Sequence, residues 1–457
     1  MAKAPATRRR AAVPQALAVS LLRQVEQGRG FSNRVLAEGL ERNLELEAGE
    51  RGIVTALVYG VLRHRSRLDV HIDACARDGA KLGAVPRMLL RVGAFELLEL
   101  GREPANAIDH AIAAASGWDP SGRLGKLAHA VLERLAHEAT ARDEVLAAAA
   151  PLDVLERRWS IPRWLAGRWL KQLGAERALA RAQALARVPS VDVRVDLGRI
   201  DAQTARTRLQ AERPGARIEL VPEQPQALRV HGGGDLFYGA LHDEGLISVQ
   251  GLAAQQPARV LAPQPGEQVL DACAGMGVKT LQLAELMTRR GTLVAADRDA
   301  TKLVEHARLR ERGRLDVASL ALHVLTTDLA GDASELDALG RFDAVLLDVP
   351  CTGLGNLARH PEIRWLRRFE DLAAAAAVQS QLIARLRARL RAGGRMVVAV
   401  CSPEPEEGAR HVAALLAQGG LSLLHERTWT PEDDGTEGFY VACVQDRGAP
   451  APAVAGS

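Results

Sequence analysis

Short apolar segments alternate with helical segments through the second half of the chain, from about residue 236 onward. Strands that alternate with helices predict an open, mainly parallel sheet with helices on both faces, as in Rossmann-like α/β domains. The carboxyl ends of the strands then meet at one edge of the sheet, where ligands bind. The predicted strands are Gln268–Cys273, Leu293–Asp297, Phe342–Asp348 and Arg395–Cys401, and the predicted helices are 278–289, 300–311 and 371–391. The C-terminal pair Leu421–Thr428 and Phe439–Gln445 could add an antiparallel hairpin.

The first part of the chain has a helical pattern instead. From residue 10 to about 140, apolar residues recur at three- and four-residue spacing, which predicts an all-helical domain. The clearest segments are Ala12–Val25, Gly52–Leu62, Pro86–Leu98, Ala107–Ala115 and Leu127–His137. We therefore predict four regions: an all-helical domain at 1–140, a small α+β linker domain at 141–235, an α/β catalytic domain at 236–447, and a disordered tail at 448–457.

The linker region is basic and contains a strand. Between residues 151 and 200 there are ten Arg and Lys against five Asp and Glu. Three tryptophans, Trp159, Trp164 and Trp169, lie among these arginines, a composition that suits base stacking, although such tryptophans more often pack inside a domain. The segment Val191–Leu197 alternates apolar and charged residues, which predicts a half-buried strand.

Composition excludes several classes of protein. No stretch of about 18 apolar residues is free of charges, so a membrane-spanning helix is not expected. The basic start of the chain is not followed by an uninterrupted apolar run, which argues against a secretory signal. The five cysteines are far apart and include no Cys-x-x-Cys pair, so we expect neither disulfides nor a metal site, and a cytoplasmic location. The formal charge of +3 does not by itself indicate a nucleic-acid partner.

The first candidate site follows the first strand of the α/β domain. Residues 271–280 read DACAGMGVKT, and the glycines allow a ligand to approach the backbone at the start of a helix. Val278 precedes Lys279 where a P-loop has glycine, which disfavours nucleoside triphosphates. Asp297 ends the next strand, where a carboxylate can accept both hydroxyls of a ribose. NAD and S-adenosylmethionine both fit this pattern.

Two cysteines end later strands of the same sheet. Asp348-Val349-Pro350-Cys351 follows one buried strand, and Cys401 ends the next one. Neighbouring strands lie about 5 Å apart, so both thiols can flank one substrate. A single cysteine at either position is more often structural than catalytic. Two at equivalent strand ends, one of them near an aspartate, favour a catalytic pair.

These motifs together resemble a known family, the bacterial ribosomal RNA cytosine-C5 methyltransferases of the RsmB (Fmu/Sun) type. The resemblance covers nearly the whole chain, and the first domain is similar to NusB-type RNA-binding domains. The residues that carry the resemblance are Val58–Arg63, Val92–Leu98, Gly245–Gln250, Asp348–Cys351, Arg359–Trp365, and Cys401-Ser402 with Pro405–Glu407.

The resemblance implies a set of residue roles. It implies S-adenosylmethionine as cofactor and small-subunit rRNA as partner. Because a structured cytosine has to be unstacked, we expect an unassembled rRNA or an early particle as substrate, and we expect a monomeric enzyme. Cys401 corresponds to the nucleophile, Cys351 to the cysteine that aids product release, and Asp348 lies between cofactor and cytosine. Asp297 is placed on the ribose and Asp328 near the adenine. The residues implied to form the cofactor loop, which lines the S-adenosylmethionine site, are Cys273, Ala274, Gly275, Met276, Gly277, Val278 and Lys279.

The chemistry of cytosine methylation explains the use of a thiol. C5 of cytosine is a poor nucleophile, and a thiolate that adds to C6 turns C5 into an enamine carbon that attacks an electrophilic methyl group. The chain departs from the family pattern within the loop 275–278, where Ala-Pro-Gly-Gly is usual, and at Ala186, Gly251 and Gly408, where Asn, Asp and Asn are usual.

Several alternatives remain open from the sequence alone. In a DNA cytosine-C5 methyltransferase the cysteine of the Pro-Cys motif, here Cys351, is the nucleophile. A non-catalytic RNA-binding assembly factor would keep the fold with an altered cofactor loop. A related enzyme would act on tRNA or another rRNA site. An NAD-dependent dehydrogenase explains Asp297 but neither cysteine motif.

Overall fold

The computed structural model describes residues 13–76, 81–234, 236–331 and 333–448, and the chain divides into two compact units. The first unit holds the residues up to 188 together with 357–367, and the second holds 189–356 and the residues from 368 onward. The predicted disordered tail lies, except for Gly448, outside the described residues.

The first unit is helical. Its core is formed by apolar residues from successive helices, including Leu57, Leu89 and Leu132, which are fully buried. Close helix packing depends on Gly60, where a Cβ atom would lie 1.9 Å from the ring of Phe95. The helices are α1 (Val13–Glu26), α2 (Ser32–Glu41), α3 (Ala48–Cys75), α4 (Ala84–Leu98), α5 (Pro104–Ala115), α6 (Arg123–Ala147), the turn α7 (Pro151–Asp153) leading into π-helical Val154–Arg158, and α8 (Arg163–Ala186).

The segment 357–367 belongs to this helical unit, although in the sequence it interrupts the second unit. Arg364 is buried and donates to the carbonyls of Arg63 at 3.0 Å and Leu185 at 3.0 Å. Trp365 Nε1 donates to the carbonyl of Leu62 at 2.9 Å. Helix α3 has non-helical backbone angles at the next residue after Arg63, so the segment supplies donors to carbonyls beside this kink.

The second unit begins with a small antiparallel sheet. The strand order is β2-β3-β1-β4, and all three neighbouring pairs are antiparallel. Its core is formed by Val193, Leu209, Leu228 and Val230. The elements are β1 (Val191–Val195), α9 (Ala202–Glu212), β2 (Arg217–Leu220), β3 (Ala227–His231), α10 (Ala240–Asp243) and β4 (Ile247–Val249).

A seven-stranded sheet dominates the second unit, in the order β10-β11-β9-β8-β5-β6-β7. Strands β5 to β9 are parallel to one another, and β11 is antiparallel to both β9 and β10. The elements are α11 (Gln256–Leu261), β5 (Gln268–Ala272), α12 (Val278–Leu286), β6 (Gly291–Asp297), α13 (Ala300–Arg312), β7 (Leu320–Thr326), α14 (Ser334–Asp337), β8 (Phe342–Asp348), the 3₁₀ turn Leu354–Asn356, α15 (Ile363–Leu366, in the helical unit), α16 (Glu370–Arg387), β9 (Leu390–Val400), α17 (Ala409–Ala417), β10 (Leu421–Trp429), α18 (Pro431–Asp434) and β11 (Phe439–Asp446).

The fold confirms the predicted class, a helical first part followed by a mainly parallel Rossmann-like sheet and a final hairpin. The predicted domain limits differ from the two units, because residues 141–188 lie in the helical unit and the small sheet lies in the same unit as the large one. Trp169, one of the three tryptophans considered for base stacking, is buried in packing. In the described part of the chain, no helix is both long and apolar enough to cross a membrane.

We expect Arg364→Met to destabilise the helical unit by about 2 kcal/mol, because the buried carbonyls that Arg364 serves lose their donors. Urea unfolding of the full chain, with hydrogen exchange read on helices α3 and α8, measures the effect. The control is Arg34→Met at a side chain that is 78% exposed, where we expect a change within about 0.5 kcal/mol. Equal stability of the two variants would contradict a structural role for Arg364.

Candidate active site

The pairing of β8 with β9 brings the two cysteines together. Asp348 lies opposite Ala399 in this parallel register, and the amide of Val349 donates to the carbonyl of Ala399 at 3.0 Å. Cys351 lies three residues beyond Asp348 and Cys401 lies two residues beyond Ala399, so both follow their strand ends at the same edge of the sheet. Their Sγ atoms are 2.7 Å apart, and both cysteines are free and partly buried.

An ion pair lies beside the two thiols. Lys279, from the first turn of α12, donates to Asp348 at the end of β8 with a distance of 2.6 Å from Nζ to Oδ2. Both side chains are largely buried. Burial disfavours the ammonium charge, but the Asp348 carboxylate outweighs it, so the pKa of Lys279 is raised, with smaller contributions from Asp271 and Cys401. Lys279 therefore keeps a positive charge close to Cys401.

The two thiols differ in their electrostatic surroundings. The pKa of Cys351 is raised well above its usual value, first by its hydrogen bond to Cys401, then by burial and by the charges of Cys401, Glu407 and Asp348. Cys351 is therefore the member of the pair that keeps its proton and can donate it in a hydrogen bond. The polar neighbours of the Cys401 sulfur are the thiol of Cys351 and the Lys279 ammonium.

The glycine loop before α12 is held in place by side chains of neighbouring elements. The amide of Gly275 donates to Asp297 Oδ2 at 2.8 Å, and the carbonyl of Gly275 lies 3.1 Å from His306 Nε2. Gly277 has a φ of +88°, and a Cβ atom there would lie 2.9 Å from the His306 ring. Only glycine fits this left-handed and crowded position without strain.

A cavity of about 340 Å³ opens at the carboxyl ends of the strands, in the size range of small-molecule sites. It lies beside β5 and β8, the neighbouring strands between which the strand order of the sheet reverses. Ligands usually bind at this position in such sheets. Its lining includes seven residues predicted from the sequence: Cys273, Gly275, Asp297, Asp328, Asp348, Cys351 and Cys401. Val349 and Pro350 of the predicted Asp-x-Pro-Cys motif also line it. The remaining lining residues, for which the sequence offered no specific signal, are Arg298, Lys302, Thr327, Leu329, Ala330, Val378 and Leu382.

The other five residues predicted for the cofactor loop do not line this cavity. Ala274 and Gly277 form the turn, and Met276 is 56% exposed. Val278 begins helix α12, and its carbonyl accepts from Arg194 at 3.3 Å. Lys279 pairs with Asp348 and so faces the thiols.

Cys273 lines the cavity as a neutral thiol. Burial raises its pKa to about 12, and the nearby carboxylates raise it as well.

Two of the departures from the family pattern have a packing reason. A Cβ atom at Gly251 would lie 2.0 Å from the carboxylate of Glu437, and one at Gly408 would lie 2.7 Å from the ring of Tyr440.

Asp271 is a buried carboxyl group directly behind the site. Its Oδ2 accepts from the hydroxyl of Thr280 at 2.6 Å, whereas Oδ1 is buried without a hydrogen-bond partner among the described residues. Burial raises the pKa of Asp271 to about 7, against the opposing effects of Thr280 and Lys279. Asp271 is therefore partly protonated near neutral pH.

This fold and site define a class of protein, the Rossmann-like methyltransferases. The family model for 16S rRNA methyltransferase RsmB/F matches residues 258–445, and the NusB family model matches residues 12–137. Ribosomal RNA small subunit methyltransferase B of Vibrio cholerae is 31% identical over 450 residues, which cover 94% of this chain and 97% of that protein. The corresponding protein of Pseudomonas putida is 30% identical over 443 residues, with 94% and 97% covered.

A solved structure agrees with these relatives. A methyltransferase homolog from Pyrococcus horikoshii aligns with a TM-score of 0.57 and 25% identity, covering 65% of this chain and 99% of that one. The chain belongs to the ribosomal RNA small subunit methyltransferase B family, and it is an RNA methyltransferase.

We expect the stability of the chain to depend on pH through Asp271. The pKa of an aspartate in the unfolded chain is about 4, whereas the pKa of Asp271 is about 7 in the folded chain. The folded state therefore binds more protons between these values, and the stability that the raised pKa contributes is lost as pH rises toward and through 7. The slope reaches about 1.4 kcal/mol per pH unit.

Urea unfolding at pH 5, 6, 7 and 8 measures this slope in the wild type and in Asp271→Asn, which should flatten it. The control is Asp343→Asn. The pKa of Asp343 is lowered because Arg391 and the amide of Gln268 outweigh burial, so its contribution is constant over this pH range. An unchanged slope in Asp271→Asn would contradict the assignment.

Proposed function

We propose that this enzyme transfers a methyl group from S-adenosylmethionine to C5 of a cytosine in small-subunit (16S) rRNA, through a covalent bond between Cys401 and C6. The observation that carries the proposal is the contact of two thiols, 2.7 Å apart, at the ends of β8 and β9 beside the Lys279–Asp348 pair. A methyltransferase that needs no nucleophile has no use for two thiols in this position.

The residues of the cavity fit the cofactor. S-adenosylmethionine supplies an electrophilic methyl group on a sulfonium sulfur. Asp297 retains acceptor capacity for ribose hydroxyls, since each carboxylate oxygen has two lone pairs and the described bonds to Gly275 and Asp299 use one on each. Asp328 lies in the same cavity on the far side of β6, where the adenine would fit. The loop 273–277 is held by hydrogen bonds to neighbouring elements, and its residues Cys273 and Gly275 line the cavity where the amino-acid part would lie.

The chain's own residues account for the covalent steps. The Cys401 thiolate adds to C6, and the electron pair of the C5=C6 bond moves toward C5, which then takes up the methyl group. N3 of cytosine is an acceptor, so Asp348 favours addition when its carboxyl group carries a proton and donates it to N3, and Lys279 holds that carboxyl group in place. When the C5 proton leaves to a base, the double bond re-forms and Cys401 is expelled as a thiolate. Cys351 keeps its proton and donates a hydrogen bond to that leaving thiolate.

The rest of the chain supports RNA as the substrate. The helical unit matches the NusB family over residues 12–137. We infer a helical RNA-binding domain at 1–140 and a linker at 141–235 that adds phosphate contacts, which makes binding sensitive to salt. The target cytosine has to leave its stack, so an unassembled rRNA or an early particle suits the enzyme as substrate. We infer a monomeric enzyme in the cytoplasm, where ribosomes assemble.

Methyl transfer from labelled S-adenosylmethionine to unmethylated small-subunit rRNA tests the proposal. We expect 5-methylcytosine from the wild type, no product and no adduct from Cys401→Ala, and a stable RNA–protein adduct from Cys351→Ala, because addition remains possible while release is slowed. Cys75→Ala is the matched control, with addition and release retained, because this free cysteine belongs to the helical unit and does not line the cavity.

Other outcomes identify the competing mechanisms. An adduct that requires Cys351 and not Cys401 would assign the nucleophile to the Pro-Cys motif, as in the DNA enzymes. A wild type that binds rRNA but neither methylates any RNA nor binds the cofactor would be a binding protein. Methylation of tRNA in place of rRNA would change the substrate and leave the chemistry intact.

A further inference from the structure

A buried carboxylate connects the two loops that carry the thiols. Glu407, in the loop after β9, is fully buried. Its Oε1 accepts from the amide of Thr352 at 2.7 Å, and its Oε2 accepts from the Thr352 hydroxyl at 2.5 Å. Thr352 directly follows Cys351 and is also buried. Both carboxylate oxygens of Glu407 therefore bind Thr352, the residue next to Cys351. Glu407 itself lies in the loop that begins with Cys401.

Gln379 adds a second connection between the same loops. Its side chain, on helix α16, is fully buried. Nε2 donates to the carbonyl of Pro350 at 3.0 Å and to Glu407 Oε1 at 3.4 Å. Its Oε1 lies 3.0 Å from His411 Nε2, which fixes the orientation of the amide. The residues on both sides of Cys351, Pro350 and Thr352, are thus each bound to the same buried polar cluster.

The backbone alone leaves the intervening turn unfixed. The amide of Val349 donates to Ala399, and the amide of Gly355 donates to the carbonyl of Cys401 at 3.0 Å. These bonds hold the two ends of the loop. Between them, the direction of the Cys351 side chain depends on the backbone at Pro350 and Thr352, which the Glu407 cluster determines.

We propose that Glu407 is a positioning residue that, through Thr352, holds the Cys351 thiol against Cys401 during release of the methylated RNA. This role rests on the proposed two-thiol mechanism. It concerns the release step, because addition to C6 needs the Cys401 sulfur and the Lys279–Asp348 pair, neither of which Glu407 contacts in the hydrogen bonds described. The neighbouring Glu406 has a different position, since it pairs with the exposed Arg410 at 3.1 Å.

The charge of Glu407 supports the same role. The hydrogen bond to Cys401 and burial are the larger causes that raise the pKa of Cys351, and the negative charge of Glu407 adds to them. A neutral residue at 407 removes this contribution, so the Cys351 thiol becomes more acidic. The upper pH limit of the release step should then move to lower pH.

Two pairs of variants test the proposal in the full-length enzyme. Glu407→Gln is matched by Glu406→Gln, and Thr352→Val is matched by Thr352→Ser, which keeps the hydroxyl. Three quantities are measured for each: the single-turnover rate of RNA–protein adduct formation, the rate of adduct decay to 5-methylcytosine, and cofactor binding. A pH profile of the decay step is added for Glu407→Gln.

We expect adduct decay to slow by about tenfold to a hundredfold in Glu407→Gln and Thr352→Val, the range that a misplacement of about 1 Å causes. Adduct formation and cofactor binding should remain near the wild-type values, and both matched controls should behave as wild type. If Glu407 acts through Cys351, Glu407→Gln should cause no further slowing in a Cys351→Ala background.

The results that would overturn the inference are distinct from failure of the proposed function. Formation and decay that slow together, in parallel with lower thermal stability, would make Glu407 a purely structural residue. Additive slowing in the Cys351→Ala background would show that it acts independently of the thiol. A wild type that forms no adduct would instead refute the two-thiol mechanism, and this inference with it.

Discussion

The parallel pairing of β8 with β9 is the constraint on which the site depends. Backbone hydrogen bonds fix the register, with Asp348 opposite Ala399, and thereby fix which residues beyond the two strand ends lie next to each other. A shift of one strand by one residue would turn the side chains of that strand to the other face of the sheet. The buried strands Phe342–Asp348 and Leu390–Val400 resist such a shift because their apolar side chains are packed on both faces. The position of the thiols is therefore a consequence of core packing.

The charges around the thiols are arranged around a single lysine. Lys279 neutralises Asp348, while Asp271 behind it loses much of its charge through burial. Burying an isolated charge costs free energy. The ion pair of Lys279 and the partial protonation of Asp271 reduce this cost for the buried cluster. Lys279, in the first turn of α12, belongs both to the predicted cofactor loop and to the charged group beside the two thiols.

The helical unit contains a segment from the middle of the catalytic sequence. Arg364 and Trp365 supply donors to carbonyls at the kink of α3, and Ser32 donates its amide to Glu362 at 3.0 Å. The segment begins just after the 3₁₀ turn that follows the Cys351 loop. The chain therefore passes between the two units three times, after residues 188, 356 and 367.

The sequence by itself determined the class of fold, the carboxyl ends of the main strands and the types of side chain found there. Apolar periodicity and the positions of glycine and proline are local properties, so they can be read without the tertiary structure. Phe342–Asp348 was predicted with the bounds that β8 has, and seven of the predicted site residues line one cavity. Three strands of the small sheet were missed, since their short, mixed segments have no clear period. Only the tertiary structure decided that Lys279 faces Asp348, that Glu407 holds Thr352, and that residues 357–367 pack in the helical unit. These contacts join residues distant in the chain, and their geometry arises from packing that no local pattern records.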